Sequence, residues 1–437
     1  MISFFLTISL SLYCLIVIQI VDMRISLITA LTFFGCFILR SQQLTPMEYP
    51  DLTRKVDLLI NDGIKNKAFP GAQVMIYKKD SIRLNKTYGY HTYDSITPVS
   101  KEHLYDLASV TKVLGSTLAL MKLYESYGLD LDKEVASFIP LLKRSNKKNH
   151  TLKEILSHNA GWTPYITHQN MVYKNNGAFK GNTLSKIQNS RFPNPVSDNL
   201  FVHKRYQNKI MHRIKKTPLG AKGEMVYSGL IYFLIPKLVQ EMTGQAFDEF
   251  LNTQFYKPMG LERLGFLPRK KFNKDVIVPT EKDTLFRKQL VHGWVHDEAA
   301  SLMGGISGNA GLFANATSIA PLLQMLLNKG NYKGTQYLKP ETIELFSQRT
   351  YPQGDNPRGL GFDKPSLDLS DPDRYPSPLV SPKTFGHTGY TGTMVWVDPA
   401  SECFVILLTN RVYPFRSQRG LYQLNIRPQL LDYAIQY

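Results

Sequence analysis

The sequence predicts an α+β fold, in which an antiparallel sheet is flanked by terminal helices and a mainly helical domain is inserted between its strands. Three observations predict this arrangement. Strand-like hairpins stand near both ends of the chain, and helical periodicity dominates the stretch between them. The composition, with 43% hydrophobic and 20% charged residues among 437, is that of a globular protein with a sizeable core. A mainly disordered or fibrous protein is excluded.

The two hairpins provide the strands of the predicted sheet. Apolar residues recur at helical spacing from Asp51 to Asn66, so a helix precedes the first hairpin. Strand-like segments at 71–77 and 82–90 then flank a polar turn, which is typical of an antiparallel hairpin. Segments at 393–397 and 403–409 flank a second turn, and a helix-capable tail follows them. We expect these strands, alike in type but distant in sequence, to pair in one sheet.

The residues between the hairpins form the predicted insertion. Helical periods there, such as the one at 113–127, end at glycines, as α-helices commonly do. We assign the sheet to residues 50–108 and 383–437 and the helical insertion to about 109–382. All of them belong to one predicted domain at 45–437.

The N-terminal segment, residues 1–43, indicates export. Met1–Val21 carries no charge, whereas Met23-Arg24 followed by the apolar run Ile25–Leu39 has the order of a secretory signal. We therefore expect translation to begin at Met23 and the protein to act in the periplasm or on the outer face of the membrane. The alternative is a retained membrane anchor, because the first apolar run is about long enough to span a bilayer.

The charge balance narrows the possible partners. The chain has 52 basic against 35 acidic residues, a formal net charge of +17, which suits nucleic acid, an anionic membrane or an acidic cell-wall polymer. Its basic clusters at 143–148 and 204–222 lack the stacking aromatics and glycines of an RNA-binding sheet. We interpret them as solvated loops and helix faces and predict no nucleic-acid partner. Cys14, Cys36 and Cys403 are too scattered for a disulfide framework or a zinc site.

The pattern Ser-x-x-Lys occurs twice, at Ser109–Lys112 and at Ser145–Lys148. Ser145 lies in a polar, basic stretch, whereas Ser109 begins a strongly amphipathic helix. At a helix N-terminus the serine oxygen lies near unpaired backbone N–H groups, and a lysine three residues later projects from the same face. A neutral amine there can take the serine proton, which suits acyl transfer. By itself, however, the motif favours an ordinary N-cap serine with an exposed lysine.

Two later motifs favour a catalytic role for Ser109 over that of an ordinary N-cap. Tyr227 lies in Met-Val-Tyr-Ser-Gly before a predicted helix, and His387-Thr388-Gly389 leads into the C-terminal strand. With Ser109–Lys112 they resemble the serine β-lactamase and penicillin-binding-protein superfamily, in particular its class C, esterase and D,D-peptidase branch. That family combines Ser-x-x-Lys, Tyr-x-Asn and Lys-Thr-Gly or His-x-Gly in this order.

Shorter likenesses to the same family occur at 156–161 and 308–313, and the whole resemblance covers roughly residues 50–435. It implies that Ser109 is the acylated nucleophile. Lys112 and the Tyr227 phenol would then share proton transfer to and from it, each with a pKa below its solution value of about 10.

The resemblance also implies the substrate contacts. His387 would replace the lysine of the family's third motif, close to the tyrosine and the leaving group. Thr388 and Gly389 would border the substrate on the same strand. The backbone N–H of Tyr390 would stand opposite that of Ser109 to form an oxyanion hole.

One position departs from the family pattern. The second motif usually ends in asparagine or aspartate, but Gly229 stands there and has no side chain to bind a substrate amide. This departure weakens a β-lactamase interpretation. Asn410-Arg411 could line the same cleft, although a turn at a strand end explains them equally well.

Residues 292–298 suggest a different chemistry. His292, His296, Asp297 and Glu298 are all possible metal ligands, but the stretch lacks the His-Glu-x-x-His order of a helical zinc site. We interpret it as a loop that borders the serine cleft.

Together these features predict an exported serine hydrolase that acts through an acyl-enzyme on Ser109, without a metal or organic cofactor. It would cleave an amide or ester in a small-molecule or peptidoglycan-derived substrate: a cell-wall D,D-peptide, a small ester or a β-lactam. The alternative is a non-catalytic cell-wall or penicillin-binding module in which Gly229 marks a decayed site.

Overall fold

Strands from both ends of the chain build the main sheet. The computed structural model describes residues 49–437, apart from Asp355, Leu369 and Asp373. Its strands, in chain order, are β1 (Gly71–Lys78), β2 (Ser81–Gly89), β3 (Tyr105–Asp106), β4 (Leu184–Ser185), β5 (Asn194–Ser197), β6 (Leu200–Val202), β7 (Leu264–Phe266), β8 (Glu281–Asp283), β9 (Gln289–Val291), β10 (Leu312–Ala314), β11 (Asn331–Tyr332), β12 (Thr335–Gln336), β13 (Phe385–Thr388), β14 (Met394–Asp398) and β15 (Cys403–Thr409). The main sheet has the order β13-β14-β15-β1-β2.

Helices pack on both faces of this sheet. The α-helices are α1 (Pro50–Lys65), α2 (Leu118–Ser126), α3 (Val135–Phe138), α4 (Leu152–Leu156), α5 (Tyr206–Lys216), α6 (Ile235–Thr243), α7 (Phe247–Leu251), α8 (Glu298–Leu302), α9 (Ala316–Leu327), α10 (Pro340–Ser347), α11 (Gly420–Gln423) and α12 (Ile426–Gln436).

Of the helices in the described part of the chain, none combines the length and apolar character needed to cross a bilayer. The predicted signal segment, residues 1–43, lies outside the described residues.

The pairing of the chain ends is confirmed. β1 runs antiparallel to β15, with Ala72 opposite Thr409 and Lys78 opposite Cys403. The first hairpin turns at Lys79 and Asp80, both with positive φ (47° and 58°). Two successive residues with positive φ make the type of tight turn that matches the twist of paired strands.

β1 is buried on both faces of the sheet, and its successive side chains point to opposite sides. Val74 and Ile76 of β1 pack into the cluster formed with α1 and α12. Met75 and Tyr77, from the same strand, pack into the larger cluster formed with the insertion. The α+β prediction is therefore correct, and the sheet separates two hydrophobic cores.

The chain between β2 and β13 also contains short strands that the sequence did not indicate. Within the described residues they form small sheets of order β3-β10-β7, β4-β6-β5, β8-β9 and β11-β12. Strands of two to four residues are too short to show an alternating pattern in sequence. Their partners come from distant segments, so only the folded chain brings them together.

Candidate active site

Ser109 lies in a tight turn rather than in a regular helix. The predicted single helix consists of a 3₁₀ turn, Ala108–Val110, then a π-helix, Lys112–Thr117, that continues into α2. Ala108 has a φ of 46°, a left-handed conformation that is unfavourable for a residue with a side chain. Asp106 Oδ1 accepts a hydrogen bond from the Ala108 N–H at 2.8 Å and holds this conformation in place.

The structure brings Lys112 to Ser109. Lys112 Nζ lies 2.7 Å from Ser109 Oγ and 3.2 Å from the carbonyl oxygen of Asn309. The lysine side chain is buried, at 3% exposure. Its amine is therefore held at one position, within proton-transfer distance of the hydroxyl.

Tyr227 faces the same pair of groups. Lys112 Nζ lies 5.8 Å from the centre of the Tyr227 ring. Tyr227 keeps 40% of its surface exposed, and its hydroxyl interacts with Lys112 and Ser109. Burial by itself raises the pKa of the phenol, but the positive charges of Lys112 and Arg358 outweigh it, so the pKa of Tyr227 lies below its usual value. A lowered pKa favours the phenolate, which can accept the proton of a serine hydroxyl.

His387 lies on β13, at the edge of the main sheet. Its Nδ1 donates to the carbonyl oxygen of Thr388 at 2.7 Å, so Nδ1 carries the proton. Burial, together with the charges of Lys112 and Arg358, holds the pKa of His387 well below its usual range. The imidazole is therefore neutral and does not supply the positive charge that a third-motif lysine has.

The turn after β13 is fastened to the turn that carries Ser109. Thr393 Oγ1 donates to the carbonyl oxygen of Leu107 at 2.9 Å. A Cβ added at Gly389 would lie 2.6 Å from that same oxygen, so only glycine permits this close approach. The turn that contains Tyr390 is thereby held next to the turn that contains Ser109.

These residues line one cleft with a volume of about 290 Å³. Its lining consists of Ser109, Tyr227, Arg358, Asp363, His387, Thr388, Gly389, Tyr390 and Tyr422. Every predicted site residue therefore lies on the cleft or, for Lys112, touches its serine. Two larger hollows, of about 390 and 760 Å³, contain none of the predicted site residues.

Sequence reasoning missed three residues beside Tyr227. Arg358 forms an ion pair with Asp363, and its Nη2 lies 3.1 Å from Nε2 of His158. The His158 ring packs on Tyr227, with 4.6 Å between ring centres. His158 belongs to a short stretch that resembles the family, but Arg358 and Asp363 stand in no motif. No pattern in the sequence could have identified those two residues.

Gly229 and its surroundings leave space for a side chain. No atom lies within 4 Å of a Cβ built at Gly229, and its φ of −82° suits any residue. Asn410 and Arg411 do not fill the gap. Asn410 donates to the carbonyl oxygens of His91 and Pro279, and Arg411 donates to those of a neighbouring turn.

The 292–298 loop is a structural border of the cleft. His296 Nε2 lies 2.8 Å from Glu281, and Arg416 donates to both Glu281 and Glu298. Burial raises the pKa of Glu281, but its bonds to His296 and Arg416 prevail and lower it to about 2. The ring of His296 stacks on Tyr390, with 5.8 Å between centres. Among the described residues, no group of three or more His, Cys, Asp or Glu could hold a metal ion.

Comparison with known proteins defines the class. Residues 56–426 match the family model described as Beta-lactamase, so the chain belongs to the beta-lactamase family of serine enzymes. A protein of Escherichia coli (strain K12), named "Putative D-alanyl-D-alanine carboxypeptidase", is 30% identical over 371 residues, covering 78% of this chain and 79% of its own. A protein of the same name from Salmonella typhimurium is 30% identical over 377 residues, covering the same shares.

Solved structures show the same fold. A penicillin-binding-protein homologue from Caulobacter crescentus superposes with a TM-score of 0.64 at 16% identity, covering 88% of this chain and 98% of its own. A class C beta-lactamase superposes with a TM-score of 0.60 at 15% identity, covering 87% of this chain and 96% of its own. The predicted superfamily and its fold are therefore confirmed.

Proposed function

We propose that this protein is a serine acyl hydrolase that cleaves D-alanyl-D-alanine-type peptides through an acyl-enzyme on Ser109. The observation that carries the proposal is the 2.7 Å contact between Lys112 Nζ and Ser109 Oγ on the cleft. An ordinary N-cap serine would be accompanied by an exposed lysine. Here the lysine is buried and its amine is directed at the hydroxyl.

The proposed mechanism uses the contacts of Lys112 and Tyr227 together with the oxyanion hole that the family resemblance implies. Ser109 Oγ attacks the carbonyl carbon while its proton passes to the Tyr227 phenolate, with Lys112 as the relay, which leaves Tyr227 as a neutral phenol. The charge that develops on the carbonyl oxygen is taken up by the backbone N–H groups of Ser109 and Tyr390. The tyrosine then protonates the leaving amine, and water releases the acyl group by the same steps in reverse.

The substrate class is supported by the relatives' printed name, which describes a D-alanyl-D-alanine carboxypeptidase. Small esters are the second candidate, because Gly229 removes the amide that would hold an acylamide arm. An ester without that arm loses nothing at this position.

A fluorophosphonate probe followed by peptide mapping tests the nucleophile directly. We expect stoichiometric labelling of Ser109, and we expect release of D-alanine from an N-acyl-D-alanyl-D-alanine peptide. An unlabelled protein that binds anionic wall polymer in a salt-sensitive manner would overturn the proposal in favour of the non-catalytic module. Labelling with ester turnover but no D-alanine release would instead assign the esterase activity.

We also propose that the protein is exported, which suits a substrate of the cell wall. The proposal rests on the order of Met23-Arg24 and the apolar run 25–39. N-terminal sequencing of the mature protein should find a start between about residues 37 and 45. Recovery of an intact Met1 in a cytoplasmic fraction would contradict export.

A further inference from the structure

The lining of the cleft includes a buried ion pair. Arg358 and Asp363 are only 7% and 9% exposed, and both line the cleft that contains Ser109. They come from the segment between α10 and β13, which carries none of the three motifs. Burying two charges is costly, and an ion pair of this kind contributes little net stability. Its position beside titratable groups points instead to a role in the reaction.

The groups that surround Tyr227 come from four parts of the chain. Lys112 faces it from the π-helix, and Arg358, paired with Asp363, faces it from the segment before β13. His158 faces it from the turn after α4, and His387 faces it from β13. Tyr232 lies against Lys112, and Tyr375 donates to Asp363. Burial keeps the pKa of His158 and of His387 well below their usual range, so both rings are neutral. The positive charges that face Tyr227 are therefore those of Lys112 and Arg358.

The guanidinium is fixed close to the phenol ring. Arg358 Cζ lies 5.5 Å from the centre of the Tyr227 ring. Asp363 holds the guanidinium on one side, and Tyr375 donates to the other oxygen of that carboxylate at 3.3 Å. Arg358 Nε has no hydrogen-bond partner among the described residues. Asp363 and His158 thus hold the guanidinium in place, while one of its N–H donors is without an acceptor among the described residues.

We propose that Arg358 is a positioning residue for the reaction, whose charge replaces that of the absent third-motif lysine and stabilises the Tyr227 phenolate. The proposal rests on the serine mechanism proposed above and deepens it. The proton of Ser109 Oγ passes to the phenolate oxygen as the bond from Oγ to the carbonyl carbon forms. The electron pair of the carbonyl moves to its oxygen, so the negative charge leaves the tyrosine. The charge of Arg358 therefore stabilises only the resting state, in which Tyr227 is a phenolate.

The test compares the pH dependence of Ser109 labelling by the fluorophosphonate in wild type, Arg358→Met and Arg358→Lys. Removing a positive charge at this distance raises the pKa of an acid by about 1–3 pH units. We therefore expect the midpoint of the labelling rate in Arg358→Met to move up by at least about one pH unit. Below the midpoint the labelling rate should fall about tenfold for each pH unit by which the midpoint rises, and at high pH it should recover. Arg358→Lys keeps the charge and should return the midpoint most of the way to its wild-type pH.

A matched control is the buried pair of Arg287 and Asp283, whose side chains are both 0% exposed and which does not line the cleft. Arg287→Met should lower stability without moving the midpoint. If Arg358→Met does not fold, Arg358→Gln, which can still bind Asp363, takes its place. A midpoint that stays at the wild-type pH in the folded neutral variant overturns the inference. Absence of labelling in the wild type at every pH overturns the serine mechanism itself, which separates the two failures.

Discussion

The two Ser-x-x-Lys sequences have the same spacing but different structures. Ser109 is followed by helix, and Lys112 Nζ lies 2.7 Å from its hydroxyl oxygen. Ser145 ends the 3₁₀ turn 140–144 with an extended backbone, and its hydroxyl accepts from the backbone N–H of Lys147 instead. Lys148 is exposed.

The comparison shows that the spacing alone does not place the lysine on the serine. Helical turns continue from Ser109 through Lys112, whereas Ser145 is extended and turn residues follow it, so the two lysines leave the backbone in different directions relative to their serines. The buried amine of the second region is that of Lys147, which donates to the carbonyl oxygen of Thr217 at 2.5 Å and to Asn146 at 2.9 Å. A buried lysine beside a serine is thus no sign of a nucleophile unless it reaches the hydroxyl.

The sharpest way to break the comparison is to remove each hydroxyl. Ser109→Ala should lower kcat/KM for an activated ester by at least about 10³-fold, because the acyl-enzyme has lost its oxygen. Ser145→Ala should leave the same rate nearly unchanged. Equal activity of the two variants would show that the assignment of Ser109 is wrong.

The second prediction concerns the amine of Lys147, which is fully buried and whose pKa is lowered by burial to about 8. Between this value and the unfolded value near 10.5, the folded protein binds fewer protons, so its stability rises with pH. The neutral amine can still donate to both of its acceptors. Lys147→Met should remove this rise, which is on the order of 1–3 kcal/mol, from the free energy of unfolding.

Urea unfolding of both proteins at several pH values between 7.5 and 10.5 measures this difference. Lys148→Met is the matched control, since its side chain is exposed. The same pH dependence in wild type and Lys147→Met would contradict the prediction. In no variant at Lys147 do we expect the labelling of Ser109 to change.

The smallest expected effect concerns the surroundings of Ser109. The open space at Gly229 should accept an asparagine, whose amide can hold the acylamide arm of a cephalosporin. One such hydrogen bond contributes about 0.5–1.5 kcal/mol, so Gly229→Asn should narrow the preference for esters over cephalosporins by about 2- to 10-fold. Gly229→Ala separates the effect of the amide from that of added volume.

The prediction is checked by measuring the ratio of kcat/KM for an activated ester to that for a cephalosporin in wild type, Gly229→Asn and Gly229→Ala. A wild-type protein that already prefers the cephalosporin would show that the inference from glycine to substrate is wrong. It would leave the assignment of Ser109 untouched.

Much of the fold and the motif positions could be predicted from the sequence, because both depend on local patterns. Residues 74–77 of β1 and residues 403–408 of β15 are runs of apolar residues, which are typical of a strand buried on both faces. The order of Ser109, Tyr227 and His387 pointed to the family before any distance was known. The alternatives left open at residues 292–298 and at Asn410 needed contacts to decide them.

The positions of Arg358 and Asp363 in the cleft could not be predicted from the sequence. Each is a single charged residue in an irregular segment, and most such residues lie in solvent. The tertiary structure alone places them against Tyr227, about 130 residues away in the chain. The same limit applies to Lys147, whose buried amine donates to the carbonyl oxygen of Thr217, 70 residues away in the chain.

By itself, the sequence determined the sheet of terminal strands, the helical insertion and the three motifs, because periodicity and spacing are local properties of the chain. The tertiary structure decided in which of the two Ser-x-x-Lys sequences the lysine amine reaches the serine hydroxyl. It also decided that a neutral His387 and a buried Arg358 both lie beside Tyr227. The physical reason is that charge and proton position depend on burial and on neighbours. Those are set by contacts between segments that lie far apart in the sequence.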